Sequence, residues 1–392
     1  MACRSITCAL SIAVASFVSV ATASDAREIR IGLTGTFTGP AAAIGIPYKQ
    51  ASELFPSEIA GQPVTWIVLD DGGDPSTAVK NAVRFIDKEN VDAILGSTSP
   101  PGSIAMFDTA IASKTPQLSL APVPIPDGKR PWIFNVPQPV PIMVSAIVDH
   151  MATRKYKTVG FIGFADSWGD QNYAALARLA EARGIKVVSD ERYNRADTSA
   201  TAQALKIYSQ NPDAVFIGGS GTPAVLPHLA LREFGFKGQI YHSHGSVSRP
   251  VLEQGGKALE GSIAPTGPIV VADQLPDSQP VKKPALDFIT VYEGRWGKGT
   301  RNPFAGYAWD GMLIVSAAIP EALKAGQPGT VEFREGLRRA LEANREVTGT
   351  HAVYRYTPED HYGVDQRARV LVIVKDGAFR LLANDRFSRH LI

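Results

Sequence analysis

From residue 29 onward, short apolar runs rich in β-branched residues alternate with segments whose apolar positions recur every three to four residues. That alternation predicts α/β architecture with parallel sheets, because each strand is followed by a helix that returns the chain to the same sheet edge. Strands are predicted at Ile29 to Leu33, Val64 to Leu69, Val91 to Leu95 and Gln117 to Leu120. Asp74 followed by Pro75 reads as a helix cap and first helical residue. Ala78, Val79, Ala82, Val83, Phe85 and Ile86 then keep helical spacing as far as Asn90, and another helix begins near Ser103. These units make one doubly wound lobe.

Between Ala121 and Pro141 seven prolines interrupt the pattern, so no regular element is expected there and the stretch reads as a crossover. The alternation then resumes with strands at Thr158 to Phe164, Ile185 to Val188, Ala214 to Ile217 and Gln239 to His242. Helices are predicted over about Asp170 to Arg183, Ser199 to Gln210 and Ala224 to Phe234, which completes a second lobe of similar size. After Gly261 the order becomes mixed: a strand near Ser262, helices over Ala285 to Trp296, Phe304 to Leu323 and Val331 to Asn344, then strands at Ala352 to Tyr356 and Val370 to Val374. A long helical segment after a complete second lobe suits a chain returning to finish the first. The expected fold class is therefore α/β, two doubly wound parallel-sheet lobes.

The N-terminus changes the picture. Arg4 precedes an apolar stretch through Val20 that ends in Ala21-Thr22-Ala23, the signature of a secretory signal peptide cleaved near Ala23/Ser24. Both cysteines, Cys3 and Cys8, fall inside residues 1–23, so the mature chain is expected to be soluble, free of disulfides and without a lipid anchor. With 392 residues, 44% hydrophobic and 20% charged, the chain is long enough for two domains, and a net charge of +2 gives no footprint for nucleic acid. Small molecules or a protein partner remain.

In doubly wound sheets ligands bind beyond the carboxyl ends of the strands. That rule selects Thr34 to Gly45, Gly96 to Ser103 and Ser119 to Val123 in the first lobe, with Thr98, Ser99, Ser119 and Ala121 among them. In the second lobe it selects Phe164 to Asp170, Gly218 to Thr222 and His242 to Ser246, which include Trp168, Ser220 and His244. These loops are rich in Gly, Ser, Thr and aromatics and poor in charge, so they offer backbone N–H groups and hydroxyls that can hold a carboxylate without a cation. Turn formation alone would explain any one of them.

Catalysis finds little support. Asp70-Asp71 with Asp74 reads as a capping turn before it reads as a metal site, and His242-x-His244 lacks a third ligand at zinc spacing. No Gly-x-Ser-x-Gly elbow is present and no thiol survives cleavage. No cofactor, no metal and no enzymatic activity are expected, with a secreted metal-dependent hydrolase as the remote alternative.

The order of residues resembles the type I periplasmic solute-binding proteins of ABC importers, near the leucine/isoleucine/valine-binding proteins. The resemblance is carried by Ile31-Gly32-Leu33-Thr34-Gly35-Thr36-Phe37-Thr38-Gly39-Pro40 with Gly45, and by Leu69-Asp70-Asp71 to Asp74-Pro75. Ile94-Leu95-Gly96-Ser97-Thr98-Ser99, Trp168-Gly169 and Gly218-Gly219 continue it. It implies a Venus-flytrap receptor with three crossovers near residues 140, 266 and 350. Lobe 1 would then comprise 24–140 plus 267–350, and lobe 2 141–266 plus 351–392. It further implies a periplasmic monomer that captures a small solute by lobe closure and delivers it to a membrane permease.

The mismatches to the family pattern bear on the ligand. The family's carboxylate-clasping serine and threonine positions appear as Pro100 and Val123, and its acidic partner for an α-ammonium falls at His244. Burying an ammonium without a carboxylate costs several kcal/mol, a large share of the ~8 kcal/mol of micromolar binding. An α-amino acid is disfavoured unless Asp166 or Asp170 substitutes. Trp168 and Phe304, with Tyr307 nearby, supply flat walls, and Ile44 replaces a polar aromatic by an apolar side chain. Trp309 reads as core. The set suits a small aromatic or hydrophobic carboxylate, with a branched-chain amino acid or amide as the alternative.

Overall fold

A computed structural model describes residues 1, 27–126, 131–343 and 345–382. The predicted signal peptide and its cleavage site lie outside the described residues. In the first lobe, β1 (Ile29–Gly35), β2 (Glu58–Ile59), β3 (Gln62–Asp70), β4 (Ala93–Leu95), β5 (Gln117–Ser119) and β6 (Ile133–Asn135) form one sheet in the order β2-β3-β1-β4-β5-β6. Every pairing is parallel except the β2–β3 hairpin. Helices α1 (Ala42–Ser52), α2 (Pro75–Asp87), α3 (Pro100–Ala105) and α4 (Phe107–Ala112) follow the strands. The α2 start is as expected: the Asp74 carboxylate accepts from the Ser76 and Thr77 amides, with Pro75 at the first turn.

The second lobe opens with α5 (Val140–Thr153) and alternates β7 (Thr158–Phe164), α6 (Ser167–Glu181), β8 (Lys186–Tyr193), α7 (Thr201–Ser209), β9 (Ala214–Gly218), α8 (Val225–Glu233), β10 (Gln239–His242), α9 (Arg249–Gly255) and β11 (Ile263–Thr266). The chain then returns through α10 (Lys282–Trp296), α11 (Pro303–Ala325), α12 (Val331–Leu341) and the short hairpin β12 (Val347–Thr348) and β13 (Val353–Tyr354). Finally β14 (Val370–Lys375) and β15 (Ala378–Leu381) add to the second sheet, whose order is β15-β14-β11-β10-β9-β7-β8. Strands β7 to β11 are parallel and the last two antiparallel. Each lobe has its own apolar core. Residues Ile31, Leu33 and Leu118 pack with Val315 and Ile319 of α11 in the first; Phe161, Phe216 and Ile217 pack with Leu176 of α6 in the second. Two doubly wound lobes result, the α/β architecture expected from the sequence.

Two expectations change. The proline-rich stretch does carry regular structure: Ile133–Asn135 is a parallel strand beside β5, and α5 starts at Val140. The window from Trp132 to Val136 contains no proline, so its amides can join the ladder, and Val136 N–H donates to the Ser119 carbonyl. The third crossover lies beyond 350. Ala352, Tyr354, Tyr356 and Ala368 are buried in the first lobe's core, and the chain enters the second sheet only at Val370. Burial of these four side chains against the first lobe keeps the segment there, past the position near 350 that the family resemblance implies. The three passages between lobes are thus residues 136–139, the turn after Thr266 and the segment from Ala368 to Val370.

Candidate functional site

The carboxyl ends of both sheets face each other across a largely apolar cavity lined by both lobes. Its first-lobe wall comes from the loops after β1, β4 and β5 and from the first turns of α11. Thr98, Ser99, Ala121, Ile44, Phe304 and Tyr307 all line it. Its second-lobe wall comes from the loops after β7, β8, β9 and β10 and includes Trp168, Arg195, Ser220, His244 and Gly245.

The first-lobe loops are braced by the acidic pair after β3. The Asp71 carboxylate accepts from the Thr36 hydroxyl at 3.0 Å, the Ser97 hydroxyl at 2.5 Å and the Gly73 amide. Asp70 accepts from the Phe37 and Gly72 amides and the Thr38 hydroxyl. Protein donors occupy both carboxylates, and no cluster suited to a metal ion exists among the described residues. Thr36 N–H in turn donates to the Thr98 hydroxyl at 2.9 Å, which joins two cavity loops. The aromatic floor is Tyr48 and Phe304, 6.0 Å apart between ring centres, with the Tyr48 hydroxyl donating to the Leu120 carbonyl.

In the second lobe the Trp168 indole N–H donates to the Gly219 carbonyl at 3.2 Å, so the indole edge is tied and its body faces the cavity. His244 meets Trp168 edge to face at 5.0 Å. Both His244 ring nitrogens are buried without a protein partner, and burial pushes its pKa down to about 3, so the ring is neutral at ordinary pH. His242, two residues earlier, closes β10, whereas His244 opens a 3-10 turn after it, and the two rings part: His242 Nε2 lies 2.9 Å from His228 Nδ1. The two histidines therefore do not share a ligand.

Arg195 is the residue that sequence reasoning missed. Its Nε donates to Asp166 Oδ2 at 2.6 Å and its Nη1 to the Ser220 hydroxyl at 3.2 Å, while Nη2 is buried and unpaired. The guanidinium stacks 4.3 Å over Phe164. A buried, unpaired guanidinium nitrogen beside an apolar cavity is free to donate to an anion. The signal was hidden because β8 was expected to stop at Val188, whereas it runs to Tyr193. It is an edge strand whose polar half, Ser189-Asp190-Glu191-Arg192, does not look like a buried strand. With the correct end, the strand-end rule leads directly to Arg195.

Other expectations sort as follows. Ser119 does not face the cavity: its hydroxyl donates to the Ala121 carbonyl at 2.6 Å and lies 2.9 Å from the Ser103 hydroxyl, bracing the loop from behind. Val123 is buried with its amide on Asn135, Pro100 lines the cavity, and Trp309 packs on Phe288 in the core. Neither candidate substitute for an ammonium partner is available. Asp166 is engaged by Arg195 and caps α6 through the Trp168 and Gly169 amides; Asp170 is exposed and pairs with Arg192. Among the described residues no aspartate or glutamate lines the cavity.

The lobes touch across the cleft. Gln171 Nε2 donates to the Pro122 carbonyl at 3.4 Å, and a Cβ placed on Gly221 would stand 3.2 Å from Ile44 Cδ1. No helix among the described residues is long and apolar enough to cross a membrane.

A family model described as "Periplasmic binding protein" matches residues 28–378. An extracellular ligand-binding receptor from Rhodopseudomonas palustris HaA2 superposes with a TM-score of 0.89 at 42% identity, over 91% of this chain and all of that one. The Leu/Ile/Val-binding protein BraC3 of Rhizobium johnstonii is 23% identical over 82% of this chain and 85% of its own length. A solute-binding protein of an ABC transporter from R. palustris, solved in complex with benzoate, shares the fold with a TM-score of 0.75 at 18% identity, over 91% and 96% of the two chains.

Proposed function

The chain belongs to the periplasmic binding protein family, and from that premise we propose that it is the periplasmic receptor of an ABC-type importer for a small aromatic or hydrophobic carboxylate. The observation that carries the ligand class is the charge inventory of the cavity: one guanidinium with an unpaired nitrogen, Arg195, and no carboxylate among the described lining residues. An α-amino acid needs partners of both signs; a simple organic acid needs only the cation. The solute's carboxylate would take Arg195 Nη2 and the Ser220 hydroxyl, displacing water from groups already oriented by Asp166.

Its body would lie between Trp168 and the Tyr48–Phe304 floor, where flat apolar surface is removed from water on closure. Neutral His244 would offer a ring nitrogen to an uncharged polar group of the solute. In this reading the protein binds and releases its solute unchanged, acts as a monomer and hands the solute to a membrane permease. The named relatives that bind leucine, isoleucine and valine support the alternative of a branched-chain amino acid, and the missing carboxylate weighs against it.

Thermal-shift screening of the purified protein against benzoate, longer aromatic acids, leucine and valine separates the two. Stabilisation by aromatic acids and not by leucine is expected; the reverse overturns the proposal. Mass spectrometry of solute retained from expression gives an independent check.

A further inference from the structure

Tyr307 lines the cavity, yet its hydroxyl points away from it, donating to Gln138 Oε1 at 2.6 Å. Gln138 Nε2 donates to the Ala368 carbonyl, also at 2.6 Å. The amide orientation is fixed by chemistry: a carbonyl only accepts, so the nitrogen must face Ala368, and the oxygen is left for the tyrosine. Gln138 sits in the first passage between lobes and Ala368 at the start of the third. On its face Tyr307 carries the His351 ring, stacked at 3.9 Å and 15°. That histidine donates from Nε2 to the Pro303 carbonyl and presents Nδ1 to Gly267, where a Cβ would come within 1.8 Å. Gly267 opens the second passage. The loop holding His351 is itself pinned, because Asp310, one turn beyond Tyr307, accepts from the Thr350 and His351 amides and the Tyr354 hydroxyl. Gln138, His351 and Asp310 are all buried.

One aromatic side chain on the cavity wall is thus tied to all three passages between the lobes. We propose that Gln138, which does not line the cavity, is a positioning residue for lobe closure: it clamps Tyr307 to the first and third passages, so that a solute resting on Tyr307 bears on the angle between the lobes. The inference rests on the reading of the cavity as the solute site. Its geometry favours the closed arrangement described above, in which Gly221 approaches Ile44 and Gln171 reaches Pro122. Without the clamp, the passages lose two buried hydrogen bonds that hold them together, and the lobes separate more readily.

The test needs no solute. Small-angle scattering on the solute-free full chain compares wild type with Gln138→Leu, Tyr307→Phe and the double variant, with circular dichroism to confirm folding. The expected result is a larger radius of gyration for each single variant and no increase in the double beyond Gln138→Leu, since that substitution already removes the bond that Tyr307→Phe removes. A wild-type radius for Gln138→Leu, or increments that add in the double variant, would overturn the clamp. Should Gln138→Leu lose its cooperative melt, Tyr307→Phe against wild type carries the comparison: an enlarged radius supports the clamp and an unchanged one overturns it. Failure of the receptor reading would appear elsewhere, as absence of any aromatic-acid shift in the wild-type thermal screen.

Discussion

Arg195 Nε donates to Asp166 Oδ2 at 2.6 Å, and the same aspartate caps α6 through the amides of Trp168 and Gly169. One carboxylate therefore orients both the cation and the indole of the second-lobe wall. A guanidinium held this way loses little further freedom on meeting an anion, which is the physical content of preorganisation.

Replacing Arg195 by Gln is expected to weaken binding of aromatic acids at least tenfold, about 1.4 kcal/mol, by titration calorimetry. The melting temperature should also fall, because Asp166 is left without its cation. Asp166→Asn keeps a competent cap but removes the counter-charge, so anion affinity should rise. Unchanged affinity in Arg195→Gln would mean the cation is not the anchor.

Truncating Trp168 to Ala removes a buried aromatic wall and should weaken the same ligands by more than about 1 kcal/mol. Trp168→Phe should recover part of that loss, since the ring face matters more than the indole N–H already spent on Gly219. Equal affinity across the three proteins would remove Trp168 from the site.

How much of this was legible in the sequence follows from the local physics of each element. Strand ends with buried, apolar strands behind them were readable, so Thr98, Ala121, Trp168, Ser220 and His244 were found from the chain alone and all reach the cavity. The edge strand β8 was not, because its outer half is polar, and Arg195 went unseen with it. Ser119 satisfied the strand-end rule, but the rule cannot say which way a hydroxyl turns; here it turns inward to Ala121. Tyr48, on a helix after the first loop, joins the floor only through tertiary packing on Phe304, for which no local pattern exists. The third passage, set near 350 by the family resemblance, lies further on because Tyr354 and Tyr356 are buried in the first lobe's core, again a matter of tertiary packing.

Gly221 has φ of 59° and ψ of −160°, a region open to glycine and costly by about 1–3 kcal/mol for other residues. Its missing Cβ also admits Ile44 of the opposite lobe. Gly221→Ala should lower the melting temperature and weaken solute-induced stabilisation, whereas Gly184→Ala, also at positive φ but with open space around it, should lower the melting temperature only. Equal solute-induced shifts in both variants would show that the cross-cleft approach is unimportant.

Acid should destabilise the protein. Burial pushes His228 down to about 4 and His244 and His351 to about 3, and His242 is lowered in the same way. Their folded pKa values lie below the unfolded value of about 6.5, so the unfolded chain binds protons first as pH falls. Each then removes up to about 1.4 kcal/mol per pH unit between roughly pH 6.5 and its folded pKa. Asp92 and Asp310, raised by burial to about 6, act oppositely, because below that pH the native state takes up their protons first. His150, lowered by burial to about 4, adds to the histidine side and Asp71, raised by burial, to the aspartate side, and five histidines against three aspartates leave a net loss. Melting temperatures at pH 7.5, 6 and 5 should fall in that order, and less steeply for His228→Gln; a flat profile would contradict the balance.

Substituting His244 by Glu tests the ligand class from inside the site. The wild-type ring is neutral, buried and unpaired, next to Trp168 and on the same wall as Arg195. A glutamate there would add the negative charge an α-ammonium needs and would oppose a simple carboxylate held at Arg195, at a cost magnified by the low local dielectric. The variant is expected to lose aromatic-acid binding and to gain leucine or valine binding in thermal-shift and calorimetric assays. His244→Asn, a neutral polar replacement, should weaken aromatic acids modestly without admitting amino acids. If the wild type already binds leucine and His244→Glu merely tightens it, the cavity serves an amino acid and the carboxylate reading falls; if His244→Glu keeps aromatic-acid affinity, His244 lies away from the bound anion and the placement of the solute must be redrawn.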